Sequence, residues 1–272
     1  MEPDSDREAF EWQVGVWNRI SDVYVREIDR RFDPVTEAVI ARARLTAGES
    51  VLDLGTGTGA IAERAAELVG EGGQVIGIDI SQDMLALARR RLGARNPANV
   101  SLREGRGEDL PADARAFDVV LSSLTLMYMI DRAATAREIA RVLRPGGRLI
   151  AAVWGGPDEC DIVRFQQTAG RFAGPPPVAG VGPGALADPS LFLQQLADAG
   201  IEARVETQVL GFDFPDFSSA WAALAGVTTA HLSAEQQQAA QRAVIDEMYP
   251  QGGGARHFEN LTQLVIGQTA RA

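Results

Sequence analysis

Cysteine is almost missing from this chain of 272 residues: Cys160 is the only one, which excludes an intrachain disulfide and a cysteine-rich zinc site. Histidine is nearly as scarce, with only His231 and His257. No segment reaches the ~18 consecutive apolar residues that a membrane-spanning helix needs. The opening MEPDSDREAF is acidic where a secretory leader is basic and then apolar. Positive charge is short as well: 26 Lys and Arg face 37 Asp and Glu, a net charge of -11. That balance argues against nucleic acid, whose binding draws on Lys and Arg to neutralise phosphates. The run Arg89-Arg90-Arg91 is expected to be a solvated helix face. Together these absences predict a soluble, cytoplasmic protein with neither a membrane nor a nucleic-acid partner.

What is present is ordinary for a globular α/β chain. Hydrophobic residues make up 46% and charged ones 23%, close to the globular average. The length fits one large domain with a smaller cap. Apolar residues including Trp12, Val16, Ile20 and Tyr24 recur at helical spacing, and Pro34 is placed to open a second helix. Strands are then expected at Ser50–Leu54, Gln74–Asp79, Val100–Glu104, Phe117–Ser122 and Arg148–Trp154. Helices fall between them at about Ala60–Val69, Ser81–Leu92 and Arg132–Val142, the last stopped by Arg144-Pro-Gly-Gly. Beyond Trp154 come helices near Cys160–Phe172 and after Asp188-Pro-Ser. Late strands follow at Glu202–Phe214 and His257–Gly267, with a helical insert over Phe217–Tyr249 between them.

The expected fold is α/β, a doubly wound, mostly parallel, seven-stranded sheet with N-terminal helices and a helical lid insert between the last two strands. The organisation is a cap over residues 1–45 and a Rossmann-like domain over 46–272, with the lid at 215–255. Such an insert can fold over the carboxyl edge of the sheet, where open α/β sheets bind ligands.

The chemistry concentrates in Val51–Gly59, VLDLGTGTG, and in Asp79 at the end of the next strand. Glycines at 55, 57 and 59 let the backbone turn sharply and meet a ligand closely, and the helix after them points free N–H groups into the same space. Asp79 is placed to accept hydrogen bonds from a ribose diol. The loop alone leaves two ligand classes open, because Gly55-x-Gly57-x-x-Ala60 also fits the dinucleotide fingerprint of a nicotinamide or flavin oxidoreductase.

Four stretches carry a resemblance: VLDLGTGTG, IGIDISQDMLALAR, EDLPADARAFDVVLSS and REIARVLRPGGRLIAAVW. Over Val51–Trp154 the chain resembles class I S-adenosylmethionine-dependent methyltransferases of the ubiquinone/menaquinone-biosynthesis C-methyltransferase-like group. Phe-Asp-Val-Val and Leu-Arg-Pro-Gly-Gly are not part of the nicotinamide pattern. The resemblance implies S-adenosylmethionine as cofactor, with S-adenosylhomocysteine as product. It implies that Asp53 and the loop Gly55, Thr56, Gly57 and Gly59 hold the methionine part, with the Ser122 carbonyl nearby. Asp79 would hold the ribose, and Ile80 and Met84 would line the adenine. The group usually has Asp-Ala where this chain has Arg106-Gly107 before Glu108. An arginine has only donors and cannot accept from the adenine amino group. Either Glu108 takes over, or backbone and water read the adenine edge, or Arg106 turns to solvent.

The implied reaction is transfer of a methyl group to a small-molecule acceptor, for which alignment in a dry pocket is the main task. A base is needed only if the acceptor must lose a proton, and His231 in the insert is the candidate, ahead of His257. Tyr24 and Tyr128 are candidates to border the pocket. The N-terminal aromatic residues could serve a homodimer as well as a cap. An NAD-dependent oxidoreductase and an adenosyl-binding protein without methyl transfer remain the alternatives.

Overall fold

The structure, a computed structural model, describes residues 3–93, 98–174, 178–229 and 232–271. The chain enters through α1 (Pro3–Val23), a π-helical turn (Tyr24–Ile28) and a 3-10 turn (Asp29–Phe32), then α2 (Asp33–Ala43) with Pro34 in its first turn. Five strands with three α-helices among them follow: β1 (Ser50–Leu54), α3 (Ala60–Val69), β2 (Gln74–Asp79), α4 (Gln82–Gly93), β3 (Val100–Glu104), β4 (Phe117–Ser123), α5 (Arg132–Val142) and β5 (Leu143–Trp154). The ends are set by side chains as the sequence suggests. Ser81 Oγ accepts from the Met84 N–H at 3.1 Å to start α4, and Asp131 accepts from Ala134 at 2.8 Å to start α5.

The second half adds α6 (Asp161–Gly170), α7 (Ser190–Asp198), β6 (Ile201–Phe214), α8 (Phe217–Leu224), α9 (Gly226–Thr229), α10 (Ala234–Met248) and β7 (Arg256–Thr269). All seven strands form one sheet in the order β3-β2-β1-β4-β5-β7-β6. β1 to β5 are parallel, and β7 runs antiparallel between β5 and β6. β1 is buried along its whole length, as a central parallel strand covered on both faces must be. Among the described residues no helix is long and apolar enough to cross a membrane.

The register fixes where the insert lies. Trp154, at the carboxyl end of β5, pairs with Thr262, so β7 begins at Arg256 beyond that end. Phe214 pairs with Arg256, so residues 215–255 emerge at the carboxyl edge of the sheet. β1 and β4 lie side by side while their helices diverge, and this switch point opens a crevice on that same edge.

Two details differ from the sequence reading. Arg144-Pro-Gly-Gly147 does not separate helix from strand: β5 reaches back to Leu143, which pairs with Phe117, and the turn is a bulge before Arg148 pairs with Val119. Gly146 there takes φ +75°, and a Cβ on Gly147 would lie 2.8 Å from the Arg144 carbonyl oxygen. The second is Arg91, which is not on a solvated face. It turns inward to Asp29 and Thr58, where a buried carboxylate needs a positive partner.

Candidate active site

The loop after β1 is stitched onto the end of β2. The N–H groups of Gly55 and Thr56 both donate to the Ile78 carbonyl, at 2.8 and 2.9 Å. Gly55 and Gly57 take φ of +72° and +54°, a backbone that suits glycine. A Cβ on Gly55 would lie 2.2 Å from Thr125, whereas one on Gly57 would meet nothing nearer than 4.0 Å. The loop therefore packs tightly at its first glycine and is open at its second.

Two carboxylates lie under this loop. Asp53 is 1% exposed; its Oδ2 accepts from Thr56 Oγ1 at 2.6 Å, and its Oδ1 is buried with no partner among the described residues. Burial pushes its pKa up to about 7, against the Thr56 hydrogen bond and, more weakly, the Ala62 N–H directed toward this carboxylate, and the nearby Asp79 adds to the rise. Asp79 closes the loop, with Oδ2 accepting from Gly57 N at 2.8 Å and Oδ1 from Ser81 N at 2.9 Å. It is half-buried, facing a cavity rather than bulk water, and that burial raises its pKa to about 6 against the pull of three backbone N–H groups.

Above the loop is a narrow cavity of about 110 Å³. Its floor is the loop with Leu124 and Thr125 beyond β4, and Leu124 holds φ +57°, rare for a branched side chain. Its far wall is apolar, with Trp17 from α1, Phe32 and Trp154, closed by Ile162 of α6 and by Leu224 and Val227 of the insert.

Most of the expected residues meet here. Tyr24, Gly55, Gly57, Asp79, Ile80 and Met84 line the cavity, as do Arg106, Gly107 and Glu108. Met84 is also core, packed with Ile20 and Leu87. Tyr24 and Tyr128 both line it, and burial raises the pKa of each phenol well above its usual value, with Asp29 adding to the rise at Tyr24. Four others are not on the wall. Asp53 and Thr56 lie beneath the loop, and Gly59 packs α3 on α4, where a Cβ would come 3.2 Å from that of Ala88. Ser122 is wholly buried, its hydroxyl donating to the Leu54 carbonyl at 3.0 Å. The next residues, Ser123 to Thr125, reach the wall instead.

Arg106 is exposed, its guanidinium 5.8 Å from the centre of the Phe10 ring. Glu108 is engaged elsewhere: its Oε1 accepts from the Ile130 N–H at 2.9 Å and from Asp131 at 3.4 Å. Gly107 is held close against Met129, whose sulfur would lie 2.7 Å from a Cβ there. His231 lies outside the described residues. His257 is away from the cavity, paired at 2.8 Å with Asp213 at the β6–β7 end. Cys160 is buried, its thiol pushed up to about 12 by burial and hydrogen-bonded to Asn260.

The sequence reading did not find the ties between the N-terminal segment and the loop. Thr58 Oγ1 donates to Asp29 at 2.5 Å and accepts from Arg91 at 3.0 Å, and Arg91 also pairs with Asp29. Ser81 donates to Asn18 of α1 at 2.6 Å. It also missed Gln13 and Gln166, two buried amides on the wall. One signal was present: Gln13 interrupts the apolar spacing of Phe10 and Trp17 on one helix face.

The donor set fits an adenosylmethionine. The unpartnered Asp53 oxygen lacks the cation that an ammonium would bring, and Asp79 is an acceptor beside an open glycine. Comparison with known proteins agrees. The methyltransferase domain family matches residues 45–158. Nocamycin O-methyltransferase of Saccharothrix syringae is 37% identical over 134 residues, 49% of this chain and 48% of that protein. Demethylmenaquinone methyltransferase of Shouchella clausii is 39% identical over 104 residues, 38% of this chain and 44% of that protein. The chain thus spans about half the length of the curated relatives it matches. The YcgJ protein of Bacillus subtilis shares the fold with a TM-score of 0.65 at 18% identity, over 88% of this chain and 100% of that one. Residues 45–158, which carry the glycine loop, Asp79 and the β4–β5 edge, match the methyltransferase domain family.

Proposed function

We propose that this chain transfers a methyl group from S-adenosylmethionine to a small, largely apolar acceptor. The observation that carries this is the buried, unpartnered Asp53 oxygen beneath a glycine loop that opens into an aromatic-walled cavity. The cofactor supplies a methyl group on a positively charged sulfur, an intrinsically reactive donor. Asp79 would hold its ribose hydroxyls, with Ile80 and Met84 along the adenine, while Asp53 beneath the loop would place its negative charge under the ammonium.

The remaining work belongs to the walls. Trp17, Phe32, Trp154 and Leu224 exclude water and restrict the acceptor's orientation, and such positioning supplies several kcal/mol of a methyl transfer barrier. Tyr24 and Tyr128 stay protonated near neutral pH, so they can donate hydrogen bonds but are not bases. Relatives named for nocamycin and demethylmenaquinone support a small-molecule acceptor.

Calorimetry with S-adenosylmethionine, S-adenosylhomocysteine and NAD tests the cofactor. Micromolar binding of the first two and none of NAD is expected; NAD binding without adenosyl binding would overturn the reading. A product-mass screen with methyl-labelled cofactor then identifies the acceptor.

A further inference from the structure

Beside the inner cavity lies an outer one of about 720 Å³, within the ~300–1,000 Å³ range of small-molecule sites. The two share Gln13, Trp17, Tyr128, Gln166 and Val227. Trp17 and Tyr128 meet edge to face with ring centres 4.9 Å apart, so the two rings touch and form an aromatic partition between the cavities. The Tyr128 hydroxyl and the two amides are the side-chain hydrogen-bonding groups among these shared residues apart from the Trp17 N–H, and the two amides differ. Gln13 gives its N–H to the Tyr128 carbonyl. Gln166, on α6 and 6% exposed, gives its Nε2–H to the Leu224 carbonyl at 3.2 Å. A carbonyl accepts only, so this bond fixes which way the Gln166 amide faces. Its Oε1 is then buried with no partner among the described residues.

Building on the methyl-transfer reading, we infer that Gln166 selects the acceptor: a ring molecule that enters through the outer cavity and donates an O–H or N–H hydrogen to Gln166 Oε1. Aromatic walls accept flat apolar rings of many kinds and discriminate poorly among them. A buried acceptor oxygen discriminates well, because an analogue without the donor leaves that oxygen dry and unpaired. Leu224 belongs to the insert and Gln166 to α6, so the same amide joins the insert to the acceptor.

The test uses the full chain saturated with S-adenosylhomocysteine and titrated with 1-naphthol and naphthalene, read by calorimetry and by tryptophan fluorescence, to which Trp12 and Trp17 of the outer cavity contribute. The wild type is expected to bind 1-naphthol at least about tenfold more tightly, the effect of one well-placed hydrogen bond. Gln166→Leu should bring the two within about threefold. Gln166→Glu should keep the preference, because a buried, protonated carboxyl can donate to Leu224 and still offer an acceptor oxygen. Equal binding of the two probes by the wild type overturns the inference, as does failure of both to bind. So does a preference that survives in Gln166→Leu. Loss of the preference in both variants would assign Gln166 only to holding Leu224, and overturns it too. If S-adenosylhomocysteine itself does not bind, the methyltransferase reading fails first, which is a separate result.

Discussion

Replacing Asp53 by Asn should stabilise the protein and weaken its ligand site together. The folded chain buries one Asp53 oxygen without a partner, and the pKa stands at about 7 against an ordinary 3.8. Between those two values the folded chain holds a proton that the unfolded chain has lost. The stability this contributes is fully present below the unfolded value and is lost as pH rises through about 7. Each pH unit in that window is worth about 1.4 kcal/mol, so raising pH from 5 to 7 removes up to about 3 kcal/mol. Asp79 shares part of that effect through its own charge, so about 2 kcal/mol is the expected share of Asp53. Asn keeps an acceptor for Thr56 Oγ1 and carries no charge. Urea unfolding of both proteins at pH 5 and pH 8 should show the variant gaining about 2 kcal/mol on the wild type as pH rises. Calorimetry at pH 8 should show S-adenosylhomocysteine bound about ten- to a hundredfold more weakly, the loss of a charged partner for its ammonium. A stability gap that does not change with pH, or shrinks toward pH 8, would refute the reasoning.

Three further outcomes are expected. Asp79→Ala should lower adenosyl affinity by about ten- to a hundredfold, and unchanged affinity in calorimetry would remove Asp79 from the site. Gly55→Ala combines φ +72° with a Cβ 2.2 Å from Thr125, and should cost more than about 2 kcal/mol in urea unfolding; a loss under about 1 kcal/mol would show that Thr125 yields easily. Residues 217–249 should gain protection in hydrogen exchange when S-adenosylhomocysteine and an acceptor are both bound, because Leu224 and Val227 form part of the cavity wall. Protection confined to the glycine loop would count against the insert as a lid.

Those parts of the fold that the sequence specifies locally were legible in it. β1, β2 and β3 fall on the expected residues because short apolar runs bounded by glycine or by capping side chains carry their own limits. The Leu143 bulge was not legible, since whether a turn ends a strand or interrupts it depends on the partner, here Phe117. That the loop and Asp79 come together was legible, whereas the orphaned Asp53 oxygen was not, because a missing partner exists only once every neighbour is placed. Arg91 shows the same limit from the other side. Its sequence context is three adjacent arginines, and nothing local distinguishes the one that turns inward to residues 29 and 58.

That inward turn bears on how the site opens. A cavity of about 110 Å³ is smaller than a nucleoside needs, so some wall must move to admit one. The 3-10 turn cannot be that wall. Withdrawing Asp29 would strip Thr58, which is 3% exposed, and Arg91 of their shared partner and leave buried polar groups unpaired. Thr58 also directly follows Gly57, whose N–H holds Asp79, so the turn and the glycine loop move as one piece. Asn18 makes a second tie, through the fully buried Ser81. The stretch without a buried charged tie is therefore α1 ahead of Asn18, and its opening must break the Gln13 bond to the Tyr128 carbonyl and the Trp17–Tyr128 ring contact. Hydrogen exchange without ligand should show that stretch opening readily while Tyr24–Phe32 stays protected. Equal exchange along the whole segment would mean that the Asp29 tie does not hold the cap.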